Sequence, residues 1–194
     1  KPAGKIILAV PDCTVEIEES DPSILLHEHF HYFTSASLKN TLAEAGFAAA
    51  VGVGRFGRSL FAVGTLSDSN LRMDVSQACI SNLEKFTVNI PKVRSNVQEA
   101  LAHWLELGEV GMYCPSRLLN FAPVGGRFLF YDDAVVIQGK YYPPFESPVG
   151  SRSKLFLDSP ETLLIGSRTF GEKLKSELVI AGLKSNIVLL SDLT

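Results

Sequence analysis

The sequence predicts an α/β chain: the end of one sheet, closed by a hairpin, then a helical connector and a small parallel-sheet domain. Three observations predict it. Short apolar runs rich in β-branched residues, such as IILAV at 6–10 and TLLIG at 162–166, have the length and composition of strands. Apolar residues at helical spacing recur between such runs. In the last third of the chain the two patterns alternate, as crossover connections in a parallel sheet require.

Residues 6–10 are wholly apolar and read as a buried parallel strand, ended by Pro11 and Asp12. Residues 12–24 are acidic and irregular and read as a loop. Thr34 or Ser35 is the N-cap of a helix in which Leu38, Leu42 and Ala45 recur, and Gly46 supplies its C-cap. Residues 47–53 and 59–66 are strands joined by a glycine-rich turn. Together these elements form a first region, 1–66.

Residues 67–107 are the connector. Leu71, Val75, Ala78 and Leu83 predict one helix. Pro91, suited to a first turn, opens a second helix with Val93, Val97, Leu101 and Trp104 in one stripe. His103 lies near that stripe and is assigned no chemistry. Residues 108–194 form the last domain. Its predicted strands are 110–114, 128–131, 162–166 and 187–190; its helices are 115–121, 151–158 and 170–181. QGKYYPPFESP, after Asp132 and Asp133, is a long turn.

Composition narrows the function classes. The apolar fraction is 46%, the charged fraction 20% and the formal net charge −3, as in ordinary globular proteins. No basic run stands out, so neither nucleic acid nor an anionic membrane is an expected partner. Cys13, Cys79 and Cys114 are far apart and include no CxxC pair, which fits a reducing, cytoplasmic compartment. No apolar run approaches membrane-spanning length. The chain opens on KPAG, a polar turn leading straight into a strand, and is expected to be the back portion of a longer protein.

Two motifs invite a chemical reading. GVGRFG at 52–57 matches the GxGxxG dinucleotide fingerprint. That fingerprint needs a helix after it, to face the pyrophosphate with its N-terminus. Here a strand pattern follows, so the glycines are expected to serve a hairpin turn. LLHEHFHYFT at 25–34 holds three of the four histidines, at alternating positions His27, His29 and His31. In an extended segment these would share one face and could ligate zinc, although three adjacent ligands on one segment strain a tetrahedron. They could equally be packed at the mouth of a sheet, or act as bases near neutral pH.

KPAGKIILAVP resembles the turn and fifth strand of class I S-adenosylmethionine-dependent methyltransferases. HEHFHYFTSASLKNTLAEAGF resembles the segment that follows in the sugar C-methyltransferase group. GMYCPSRLLNF, FYDD, QGKYYPPF and LLIGSRTFGEKLKSEL look like that group's Rossmann-like C-terminal domain. The resemblance implies that 47–66 are the sixth and seventh strands of a methyltransferase sheet, the seventh antiparallel between the fifth and sixth. It implies Glu28 and His29 as the acid/base pair. From the residues themselves, His27, His31 and Tyr32 are substrate-facing candidates beside that pair, Asp132 has a structural or substrate-facing role, and Arg117 is solvated, ion-paired or set against an anionic group of the substrate. Asp133 and Arg168 lie at strand ends of the same domain as Arg117. Leu26 departs from the group, which tends to carry Tyr there, and this puts a sugar substrate in doubt.

The glycine-rich cofactor loop and the ribose-binding acid of the family have no counterpart in the chain. S-adenosylmethionine is therefore expected to act in the parent enzyme and not to bind this chain tightly; no metal is expected. A small molecule is the expected substrate. The incomplete sheet is expected to pair with a second copy as a homodimer. The alternative is a non-catalytic α/β module that binds a substrate or partner.

Overall fold

The computed structural model describes residues 4–25, 30–54, 58–67 and 77–193. The chain folds as two compact units, Lys1–Ile90 and Pro91–Thr194. The division falls within a long helix, at the position of its internal proline.

The first unit is built on a three-stranded sheet. Its strands are β1 (Lys5–Pro11), β2 (Phe47–Val53) and β3 (Ser59–Leu66). Helix α1 (Thr14–Glu19) follows β1, and α2 (Ser35–Glu44) precedes β2. The strand order is β1-β3-β2, with β3 antiparallel to both neighbours. Side-chain alternation divides the sheet into two faces. Ile6, Leu8 and Val10 join Leu60, Ala62, Phe47, Ala49 and Val51 in a core against Leu38 and Leu42 of α2. Thr34 caps α2 reciprocally with Ser37, as its position before an apolar-periodic run predicts.

Three expectations for this unit need correction. Strand β1 is antiparallel to β3 and only half buried, with Ile7 73% exposed. A wholly apolar run can lie on a sheet that has only one covered face, and such a run carries no alternation to reveal it. Residues 12–24 are not a loop, since they contain α1 and a 3-10 turn, Pro22–Ile24. Their acidic residues hid it: Glu16 is buried and Asp21 is a cap.

The predicted pair of connector helices is likewise one helix from residue 77 onward, α3 (Gln77–Leu107), which continues through Pro91. Proline removes an N–H, so the carbonyl four residues back loses its usual donor. That residue is Thr87, which is exposed, so water can serve the carbonyl. Leu71 and Val75 lie outside the described residues.

The second unit is a five-stranded parallel sheet with the order β6-β5-β4-β7-β8. Its strands are β4 (Val110–Tyr113), β5 (Phe128–Tyr131), β6 (Val149–Gly150), β7 (Thr162–Ile165) and β8 (Asn186–Leu189). Helices α4 (Arg152–Asp158) and α5 (Gly171–Ile180) flank β7 in sequence. Val110, Met112, Phe128, Phe130 and Leu164 share one core with Val97 and Leu101 of α3. Their strand neighbours Tyr113, Tyr131, Leu163 and Ile165 share the other with Leu155 of α4 and Leu178 of α5. Period-two alternation thus feeds two cores, giving a helix–sheet–helix sandwich.

The predicted helix at 115–121 is a 3-10 segment, Pro115–Asn120. The long turn contains a bridge between Tyr141 and Pro148 and leads into β6, a two-residue strand too short to leave a sequence pattern. Among the described residues no helix is long and apolar enough to cross a membrane.

Candidate functional site

In the first unit the site candidates fall on the 25–34 stretch, which follows the 3-10 turn Pro22–Ile24 in sequence. His27, Glu28 and His29 lie outside the described residues, and the structure bears on what flanks them. Upstream, Asp21 is fully buried and accepts from the Ser23 amide at 2.9 Å and the Ser23 hydroxyl at 2.8 Å, capping the 3-10 turn. The Asp21 amide donates to the Glu16 carbonyl at 2.8 Å. The Glu16 carboxylate is 2% exposed and accepts from Arg58 at 2.6 Å. Asn89 of α3 donates to the buried Ser20 hydroxyl at 3.3 Å.

Downstream, the Cys13 amide donates to the Phe33 carbonyl at 2.9 Å. Tyr32 packs against a cluster of Cys13, Ile24 and Phe86. Residues on both sides of the histidine stretch, Ile24 and Tyr32, are therefore tied to one small core. His31 is exposed, its ring centroid 5.8 Å from that of Phe33. Beside Tyr32 lies a groove of about 380 Å³ walled by Ile17, Ile80 and Leu83, with Thr14 and Ser35 among its lining. An apolar groove with a few hydroxyls has the character of a small-molecule site.

Sequence reasoning missed Glu16, Asp21, Ser23 and Arg58 as members of this neighbourhood. Asp21-Pro22-Ser23 carried a readable signal, a capping aspartate before a first-turn proline. The Glu16–Arg58 pair joins residues far apart in sequence and left none.

The glycine fingerprint is a hairpin connection. Val53 pairs with Leu60, the Gly54 amide donates to the Ser59 carbonyl at 2.7 Å, and β3 follows where a dinucleotide site needs a helix. Arg55 to Gly57 lie outside the described residues. Among the described residues no group of three His, Cys, Asp or Glu could hold a metal ion.

In the second unit the strand order reverses between β4 and β7, which is where open α/β sheets place ligands, outside the carboxyl ends. There the main chains after β4 and β7 approach each other closely. Cys114 follows β4 in a left-handed conformation, φ 51°, and Pro115 has no N–H to offer. A Cβ at Gly166, after β7, would overlap the Cys114 carbonyl oxygen. The segment after β4 is a short 3-10 turn, without the α-helical N-terminus that cradles phosphate.

Asp132 and Arg117 belong to this unit. Asp132 accepts from the Ala134 amide at 2.8 Å, and its carbonyl accepts from Gln138 at 2.9 Å, so it caps a turn. Arg117 is half-buried on the 3-10 segment. Burial, then the charges of Asp132 and Asp133, push the Cys114 thiol up to about 12. Asp133 meets Arg152 at 2.5 and 3.2 Å. Arg152 also donates to the Tyr113 hydroxyl at 2.9 Å and to Glu177 at 3.1 Å. Burial works against the Asp133 charge, but hydrogen bonds from Arg152 and Tyr113 outweigh it and hold the carboxyl below its ordinary range. This network ties β4, the turn after β5, α4 and α5 together.

No known protein family matches the chain. No characterised protein matches it either.

Proposed function

We propose that the chain is the C-terminal portion of an S-adenosylmethionine-dependent methyltransferase that methylates carbon on a small molecule. The observation that supports this most is the order β1-β3-β2, with the middle strand antiparallel to both neighbours. It is the arrangement that the resemblance implies for the fifth, seventh and sixth strands of such an enzyme. The Rossmann-like order of the second unit is consistent with the group's C-terminal domain.

The described residues do not fit the methyl donor. Their glycine-rich turn joins two strands, and in the unit with a Rossmann-like order β4 is followed by a short 3-10 turn and not by the α-helical N-terminus that would face a phosphate. On this reading the donor is held elsewhere in the enzyme, and the chain contributes acid/base chemistry and substrate contacts. His29 removes a proton from a carbon beside a carbonyl, and Glu28 orients the imidazole or shares the proton. His27, His31 and Tyr32 face the acceptor, and the Tyr32 groove holds its apolar part. The second unit, with Arg117 and Asp132, has no chemical step.

The test is methyl transfer by the parent enzyme with Glu28→Gln and His29→Ala. Both are expected to lower turnover by roughly 100-fold while leaving donor affinity in place. Near-native turnover in both variants would refute the assignment.

A further inference from the structure

An open cavity of the second unit lies at the end opposite the crevice between β4 and β7. It occupies about 760 Å³ at the amino ends of β4 and β5, where α3 ends and the loops before β5 and β6 approach each other. Such a volume suits a small organic ligand. Leu105, Phe128 and Phe145 give it an apolar wall. The rings of Phe128 and Phe145 meet edge to face, 5.8 Å apart and at 83°, which fixes the Phe145 ring beside the opening. Gly125 has open space where a side chain would stand, so a ligand can approach the backbone there, whereas the Phe128 ring packs against Gly126.

The charge around this cavity has a direction. Helix α3 ends beside it, and its last turn carries no basic residue to offset the negative end of its dipole. Glu109 and Glu146 line the cavity and are exposed to solvent. Arg127 is the only cationic side chain in the lining, and it is exposed as well. Two carboxylates and a helix C-terminus therefore outweigh one guanidinium. A cation is favoured by that field, and the exposed part of the Phe145 ring can add a cation–π contact.

We infer that this cavity is a second small-molecule site, which takes an organic cation with an apolar body, an alkylated or aromatic amine. The site does not depend on the methyltransferase reading. It is separate from the histidine stretch and uses none of its residues.

Amide chemical shifts of the 194-residue chain, titrated with benzyltrimethylammonium and separately with phenylacetate, test it. The two probes share a ring and differ in charge. The cation is expected to shift the amides of Gly125, Gly126, Phe145 and Ser147 and to saturate them below about 10 mM. Phenylacetate is expected to bind at least about tenfold more weakly. Replacing both surface carboxylates, Glu109→Gln with Glu146→Gln, is expected to weaken the cation by about five- to tenfold. Equal or tighter phenylacetate binding would make Arg127 the recognising group and overturn the inference. So would unmoved amides around the cavity, or undiminished affinity for the cation in the double variant.

Discussion

Arg58, immediately before β3, donates to the carboxylate of Glu16 on α1 at 2.6 Å, and that carboxylate is only 2% exposed. Arg58 itself holds a left-handed φ of 48°. An ion pair of this kind is costly to halve, because the charge left behind stays buried. Arg58→Met is therefore expected to destabilise the protein by on the order of 3 kcal/mol. The double variant Glu16→Met with Arg58→Met is expected to lose less. Urea midpoints of the three proteins decide it, and a single variant no worse than the double would contradict the buried-charge account.

Acid should loosen the second unit through Asp133. Its carboxyl is held below the ordinary 3.8 in the folded protein. The sign follows from linkage: the native state then binds the proton less readily than the unfolded chain. The Arg152 contact thus contributes fully above that ordinary value and is lost as pH falls through the depressed one. Asp133→Asn should flatten this part of the acid limb in urea melts between about pH 5 and pH 2. An unchanged limb would place the acid sensitivity elsewhere. Asp133 is half exposed, so the effect should be small.

Cys114 should resist alkylation in the folded protein. Its thiol is pushed up to about 12, chiefly by burial, so little thiolate exists near neutral pH. Iodoacetamide at about pH 8, where an ordinary thiol is partly ionised, followed by peptide mass spectrometry, should label Cys114 only after unfolding. Rapid native-state labelling would show that the thiol is not held as described.

The outer side of β1 bears on self-association. Among the described residues β1 pairs only with β3. On the face away from α2, Ile7 sits opposite Val63 and Ala9 opposite Phe61, with Phe61 50% exposed. An unprotected apolar edge invites pairing with another strand. The 194-residue chain is therefore expected to form two-fold dimers through this edge or face. Light scattering over a range of concentrations checks this. A strict monomer whose β1 amides exchange freely would contradict it.

Much of the architecture was legible because strands and helices announce themselves by period. The alternation in 110–190 led to a parallel sheet, which is what forms. The hairpin over the glycine fingerprint was legible because strand patterns stood on both sides of it. Other features were hidden for physical reasons. The buried Glu16 looks like any surface acid until Arg58 arrives from a distant strand. Arg152 carries no motif, yet it links four elements through Asp133, Tyr113 and Glu177. Pro91 read as a helix start because its missing N–H matters least there, whereas the helix passes through it beside an exposed Thr87. The site candidates divide similarly. Tyr32 lies against a groove, and Asp132 spends its carboxylate on capping the turn after β5, a contact that residue type alone does not specify.

The central claim is that Glu28 and His29 move a proton during methyl transfer to carbon. The most direct measurement is hydrogen–deuterium exchange at the acceptor carbon, catalysed by the parent enzyme in D₂O without turnover to product. The wild type is expected to exchange that hydrogen, and His29→Ala to exchange it roughly 100-fold more slowly while still binding the acceptor. Equal exchange rates in the two proteins would contradict the claim.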